Sequence, residues 1–273
     1  MTLPYFLTID QTDDLPEVCL SRHGNIFARF DERTQDSGNI SYGLKTADAT
    51  LFIKTAGSPS AKAFLSHADR IYWLRNAITF ARTFASPILS ALRNVIETPN
   101  GPMLVYDWLD AELLGCPAPD RTDPTSAFMR FKQMPLEPIA NALDQIFRFH
   151  TEVCRQGWVS NDFYDRAVMY HFGNHHTYLM DLDMYRPGPF ANDMGRLFGS
   201  SRFMAPEEFT KGATITEQTT VFTMGRCIQV LVADAQVPAK WFDVANKACQ
   251  NDPGDRFPSM NAFYAEWRTA AAT

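Results

Sequence analysis

The feature that most constrains this chain is the order of its local patterns: three short alternating runs, one long helical run, two further alternating runs, and then a helix-rich remainder. Asn25–Phe30, Asn39–Leu44 and Thr50–Lys54 are rich in β-branched and aromatic residues, and turn formers at Gln35–Gly38 and Ala47–Ala49 separate them, which predicts a β-meander. From Ala61 to Phe84 apolar side chains recur every three or four positions, at Phe64, Ala68, Ile71, Leu74, Ile78, Ala81 and Phe84. That spacing predicts one helix lying on the sheet. Leu92–Ile96 and Pro102–Tyr106 flank the turn Thr98–Gly101 and complete five strands, after which Asp107–Asp110 reads as a linker. The expectation is an α+β chain in two parts, residues 1–107 with a small five-stranded antiparallel sheet and one helix, and residues 108–273, larger and mostly helical.

In the second part, Gly115–Pro124 is rich in proline and turn formers and reads as an exposed loop. Leu136–Val153 carries Ile139, Leu143, Ile146, Phe147 and His150 at helical spacing and ends near Gly157. Val168–Tyr170 and Tyr178–Met180 form a short hairpin around Gly173–His176, and helical patterns resume at Thr220–Ala233, Ala239–Gln250 and Ser259–Thr269. With 273 residues, 45% of them apolar, the chain can bury a sizeable core. Twenty-five basic residues against 31 acidic ones, with no long run of one sign, argue against nucleic acid and membrane surfaces as partners. No apolar run approaches the roughly 20 residues of a membrane span. Met1–Asp10 lacks the basic start of a signal peptide. Cys19, Cys116, Cys154, Cys227 and Cys249 are odd in number, scattered and never spaced Cys-x-x-Cys, which argues against disulfides and zinc and for thiols in a reducing, cytoplasmic setting.

One stretch carries chemistry. Gly199-Ser-Ser-Arg-Phe-Met-Ala-Pro-Glu-Glu-Phe209 follows the acidic triplet Asp181-Leu-Asp183, and Arg256 stands in Asp252-Pro-Gly-Asp-Arg-Phe-Pro258. This run resembles the activation segment of a protein kinase, and the order of elements resembles the bilobal protein kinase fold along nearly the whole chain. The resemblance implies an ATP-dependent serine/threonine protein kinase, acting with Mg²⁺ or Mn²⁺ on a hydroxyl of an unidentified protein acceptor. It places Lys54, at the end of the third strand, on the α- and β-phosphates. Asp162, in Ser160-Asn-Asp-Phe163, becomes the residue that orients the acceptor hydroxyl and takes its proton, and Asp181 the metal-binding aspartate. The backbone of the hinge, including Asp107, Trp108 and Leu109, would receive adenine. Glu207 and Arg256 would form a structural ion pair that staples the segment, a pairing that small-molecule phosphotransferases of the aminoglycoside and choline type characteristically lack.

Four departures from the family pattern bear on activity. The helix position that should offer a glutamate to Lys54 is Ala77, and the helix's acid, Asp69, is rotated from it by about 80° at 100° per residue. The second metal-binding asparagine is Ala167, with Asp165 nearby as a replacement ligand. The glycine-rich loop is reduced to Ser37, Gly38 and Asn39, which would cover the phosphates only in part. Asn161 replaces the arginine before the catalytic aspartate, removing the receptor for a phosphate on Ser200 or Ser201, and Asp183 replaces the glycine of Asp-Phe-Gly, where it could hold a second metal. Thr220 also stands where the family usually has an aspartate that anchors the catalytic loop. The alternative is a pseudokinase, a nucleotide-binding or protein-interaction module that keeps the fold without the chemistry.

Overall fold

The computed structural model describes residues 5–33, 37–61, 63–232 and 237–272. It is α+β, with a five-stranded antiparallel sheet and seven α-helices among those residues. Backbone packing divides it into two compact units, Met1–Ala85 with Ser90–Asp110, and Ser86–Leu89 with Ala111–Thr273.

The first unit holds α1 (Pro16–His23), β1 (Asn25–Phe30), β2 (Ile40–Lys45), β3 (Thr50–Thr55), α2 (His67–Thr83), β4 (Leu92–Thr98) and β5 (Gly101–Asp107), with strand order β1-β2-β3-β5-β4. Strand alternation sorts the side chains onto two faces. Tyr42, Leu44, Leu51, Ile53, Met103 and Val105 pack with Phe6, Leu7, Cys19 and Leu20, so α1 and the segment before it close one face. On the other, Leu104 and Ala56 pack against Leu74, Ala77 and Ile78 of α2. Burying one such leucine contributes about 2 kcal/mol. Helix α1 was not expected; Pro16 at its first position and Glu17 in its first turn are ordinary start signals on a run too short to show periodicity.

Helix α2 begins later than the apolar spacing predicts. Ser66 caps it by accepting the Asp69 N–H at 3.1 Å, so Ala61 and residues 63–66 lie outside the helix and Phe64 is 77% exposed. Ala68 is exposed as well, and the innermost residue of the first turn is Arg70, with 1% exposure.

The second unit holds the short strands β6 (Glu112–Leu113), β7 (Trp158–Val159), β8 (Val168–His171), β9 (His176–Leu179), β10 (Arg186–Pro187), β11 (Phe190–Ala191) and β12 (Thr214–Ile215). Its helices are α3 (Ala127–Lys132), α4 (Leu136–Arg155), α5 (Glu217–Leu231), α6 (Ala239–Ala248) and α7 (Met260–Ala271). Helix α4 buries Ile139, Leu143, Ile146, Phe147, His150 and Val153 on one stripe, and Phe147 meets Phe263 and Trp267 of α7 edge to face. Helix α5 starts at Glu217 because Thr216 caps it by accepting the Gln218 N–H; the expected end at Ala233 lies outside the described residues. The stretch from Gly115 is not wholly exposed. Gly115 is buried and packs so closely on Arg166 that an added Cβ would lie 2.5 Å from its backbone nitrogen, and Ala118–Thr122 makes a 3₁₀ turn. All five cysteines are free. Among the described residues, no helix is long and apolar enough to cross a membrane.

Candidate functional site

Helix α4 ends at Arg155, and Gly157, two residues on, turns the chain into β7 with a φ of 77°. β7 pairs with β10, Val159 opposite Arg186, and delivers Ser160, Asn161 and Asp162. Asp162 then adopts φ 64°. The next segment enters the β8–β9 hairpin, and at the hairpin's open end Met180 N–H donates to the Ala167 carbonyl at 3.0 Å. Asp181 follows at φ 59°. Asp162 thus precedes the hairpin by six residues and Asp181 follows it by two. Left-handed backbone in a residue with a side chain is uncommon and costs on the order of 1–2 kcal/mol. Among the described residues only Asp162, His175 and Asp181 hold it outside glycine, and strain of this kind concentrates where geometry serves a site.

Contacts of Ser160 and Phe163, on either side, hold the segment that carries Asp162. Thr220, standing where an anchoring aspartate was expected, accepts the Ser160 N–H at 3.1 Å and lies 3.1 Å from the Ser160 hydroxyl. Phe163 packs edge-on against His150, ring centres 4.6 Å apart. His150 in turn donates Nδ1–H to the Ile146 carbonyl and accepts the Tyr185 hydroxyl at Nε2, 2.7 Å away. Burial pushes the imidazole down to about 4, so it is neutral. Gly199, at φ 128°, neighbours Asp162: an added Cβ would sit in van der Waals contact, 3.5 Å from Oδ1.

Glu207 and Arg256, 49 residues apart in sequence, form a buried two-pronged pair at 2.7 and 2.8 Å. Burial pushes the Glu207 carboxyl up, but Arg256 and the Thr219 hydroxyl outweigh it and leave the group below the usual range. Glu208, one residue on, behaves in the opposite way. It is 3% exposed, and one oxygen accepts the Ala205 N–H at 2.6 Å. Burial, with the charge of Glu207 adding to it, pushes its carboxyl up to about 8. Glu208 lines one recess with Ser160, Asp162, Gly199, Met204 and Thr223. Sequence reading missed it because two consecutive glutamates look alike until burial separates them.

The metal-ligand candidates differ in fit. Mg²⁺ takes oxygen ligands and commonly keeps water and phosphate oxygens beside one or two carboxylates. Asp181 is exposed and Asp183 is buried, with 9% exposure; as carboxylates both are of the hard-oxygen type the ion takes. Asp165 does not fit the role expected of it. Its carboxylate is 1% exposed and engaged by the guanidinium of Arg202, a partner in the 199–209 run that sequence reading passed over. Among the described residues, no three His, Cys, Asp or Glu side chains gather into a metal cluster.

The remaining candidates lie in the first unit. Lys54 sits on β3 opposite Ser41 and Leu104, 8% exposed. Ala77 is a core contact of α2, and Asp69 accepts the Ser66 hydroxyl at 2.6 Å in its own cap. Ser37 accepts the Asn39 N–H, and Gly38 follows it at φ 83°. Asp107 pairs with Arg93 at 2.9 Å; its N–H donates to Ala91, and Trp108 N–H donates to Thr50. The Trp108 ring packs against Phe27 and Phe52, and Leu109 is half-buried. Compared with known proteins, the chain matches no family model and no curated protein.

Proposed function

We propose that this chain is an ATP-dependent phosphotransferase of the serine/threonine protein kinase type, passing the γ-phosphoryl group to a hydroxyl of a protein acceptor. The observation that carries the reading is the shared left-handed backbone of Asp162 and Asp181, the residues assigned as base and metal ligand, one in the segment that leads into the β8–β9 hairpin and the other in the segment that leaves it. In this reading Asp162 accepts the hydrogen bond of the acceptor hydroxyl and takes its proton as the new O–P bond forms. The bond from the γ-phosphorus to the bridging oxygen breaks, and ADP leaves with the electron pair. Lys54 balances charge on the α- and β-phosphates, residues 37–39 cover them, and the backbone of Asp107–Leu109 receives adenine. Asp181, with Asp183, would hold Mg²⁺ or Mn²⁺, which supplies charge neutralisation at the phosphate oxygens. Asp165, engaged by Arg202, is left out of that set. The Glu207–Arg256 pair is structural.

One observation favours a second reading, a nucleotide-binding or protein-interaction module without transfer. The position expected to hold an acidic partner for Lys54 is a buried alanine in the α2 core. A magnesium titration of ATP turnover separates the two. The transferase reading expects turnover to rise with Mg²⁺ in the wild type and to fall by about two orders of magnitude or more in Asp181→Asn, in line with losing one electrostatic stabiliser. Equal turnover in both proteins refutes the assignment of Asp181, and ATP binding without turnover at any Mg²⁺ or Mn²⁺ concentration supports the module.

A further inference from the structure

The least expected side chain in the first unit is Arg70. It occupies the innermost position of the first turn of α2 with 1% exposure, where the apolar pattern has no place for a charge. Its Nη1 donates to the carbonyls of Gly38 and Ala56, the latter at 2.5 Å. Nη2 donates to the Ser58 carbonyl at 3.0 Å, and Nε reaches the Ser66 carbonyl at 3.4 Å. Each acceptor is a main-chain oxygen, so among the described residues no carboxylate neutralises the guanidinium. The fork thus ties three pieces together: the turn after β1, the connection after β3, and the start of α2.

Two glycines make that approach possible. Gly38 and Gly57 both hold left-handed backbone, φ 83° and 67°. A Cβ on Gly57 would lie 2.4 Å from the Gly38 carbonyl oxygen and 3.2 Å from Arg70 Nη1. Thr55 adds a second tie, donating its hydroxyl to the Ile40 carbonyl at 2.7 Å and accepting the Gly57 N–H at 3.2 Å. Thr55 directly follows Lys54. The buried fork therefore locks the 37–39 turn to the end of the strand that carries the phosphate-binding lysine. A charge without a counter-ion also leaves a standing positive potential there.

We infer that Arg70 is a positioning residue for polyphosphate: it sets the 37–39 turn where that turn covers nucleotide phosphates, and its uncompensated charge favours them. The inference rests on the reading of this chain as an ATP-binding protein. It predicts selectivity that a merely structural residue would not confer, with phosphate affinity lost and nucleoside affinity kept.

The test is isothermal titration of the full chain with Mg²⁺·ATP and with adenosine, on wild type, Arg70→Gln and Arg70→Lys, with folding checked by circular dichroism. The expected result is an ATP dissociation constant about tenfold higher in Arg70→Gln, the equivalent of one good contact, at unchanged adenosine affinity. Arg70→Lys, which keeps the charge but not the fork, falls between. A folded Arg70→Gln protein that binds ATP like the wild type, or that loses ATP and adenosine in equal proportion, overturns the proposal. If Arg70→Gln does not fold, Gly38→Ala decides by the same ratio. It keeps the arginine in the sequence but brings a Cβ to 2.4 Å from that of Ala63 and 3.0 Å from Arg70 Nη1, and so parts the turn from the fork. A wild type that binds neither ligand defeats the ATP-binding reading itself, and this proposal with it.

Discussion

Replacing Glu208 by glutamine should change how stability depends on pH, in a direction and amount that follow from burial alone. The carboxyl holds its proton up to about pH 8 in the folded protein against an ordinary value of 4.5. Below the ordinary value it is protonated in both folded and unfolded chains, and its contribution is fully present. As pH rises, the unfolded chain releases the proton while the folded one retains it, so stability falls until the folded group also ionises near pH 8. The slope is about 1.4 kcal/mol per pH unit, on the order of 4–5 kcal/mol in all. Glutamine matches the shape, keeps an oxygen for the Ala205 N–H and has no proton to lose. Urea unfolding at pH 5, 6, 7 and 8 gives the difference between the two proteins. Histidines that titrate on unfolding appear in both and cancel. The variant should gain on the wild type by about 1.4 kcal/mol with each unit. Parallel curves across this range would show that Glu208 ionises normally and that burial does not govern it.

Much of the first unit was legible because strand alternation is a local signal. Leu51 and Ile53 face one core while Phe52 and Lys54 take the other side, as period two demands. The start of α2 was not legible from apolar spacing, since Phe64 continues the pattern upstream; the cap at Ser66 sets the start instead. Helices α1 and α3 were too short to show a period. At the candidate site, Asp162, Asp181, Glu207 and Arg256 could be singled out because their neighbours form a motif. Arg70, Arg202 and Glu208 could not, because their roles depend on tertiary partners: carbonyls on remote loops, a buried aspartate, and a desolvated recess. No local pattern distinguishes them from solvated charges.

Other outcomes follow from the same geometry. Arg256→Met leaves the buried Glu207 carboxylate without its cation and should destabilise the protein by about 3–5 kcal/mol in urea unfolding; a change below about 1 kcal/mol would contradict the buried pair. His150 is neutral in the fold with its pKa down at about 4, so its contribution is present above pH 6.5 and is lost as pH falls from there towards 4. That amounts to about 3 kcal/mol, and acid-unfolding curves of His150→Leu should be flatter over that window than those of the wild type. Gly199→Ala forces a Cβ into left-handed backbone and should cost about 1–2 kcal/mol, read as a lower urea midpoint. Thr220→Val removes the acceptor of the Ser160 N–H and should cost about 1–3 kcal/mol, visible as faster hydrogen exchange at Ser160.

The central claim is that Asp162 takes the proton of an acceptor hydroxyl while a phosphoryl group moves to it. Incubating the wild type and Asp162→Ala with γ-labelled ATP, Mg²⁺ or Mn²⁺ and a generic protein acceptor tests it most directly, with ATP affinity measured on both. Label should pass to protein with the wild type, and be lost with the variant while ATP affinity stays nearly intact. Equal transfer by both proteins, or none by a wild type that binds ATP, would contradict the account.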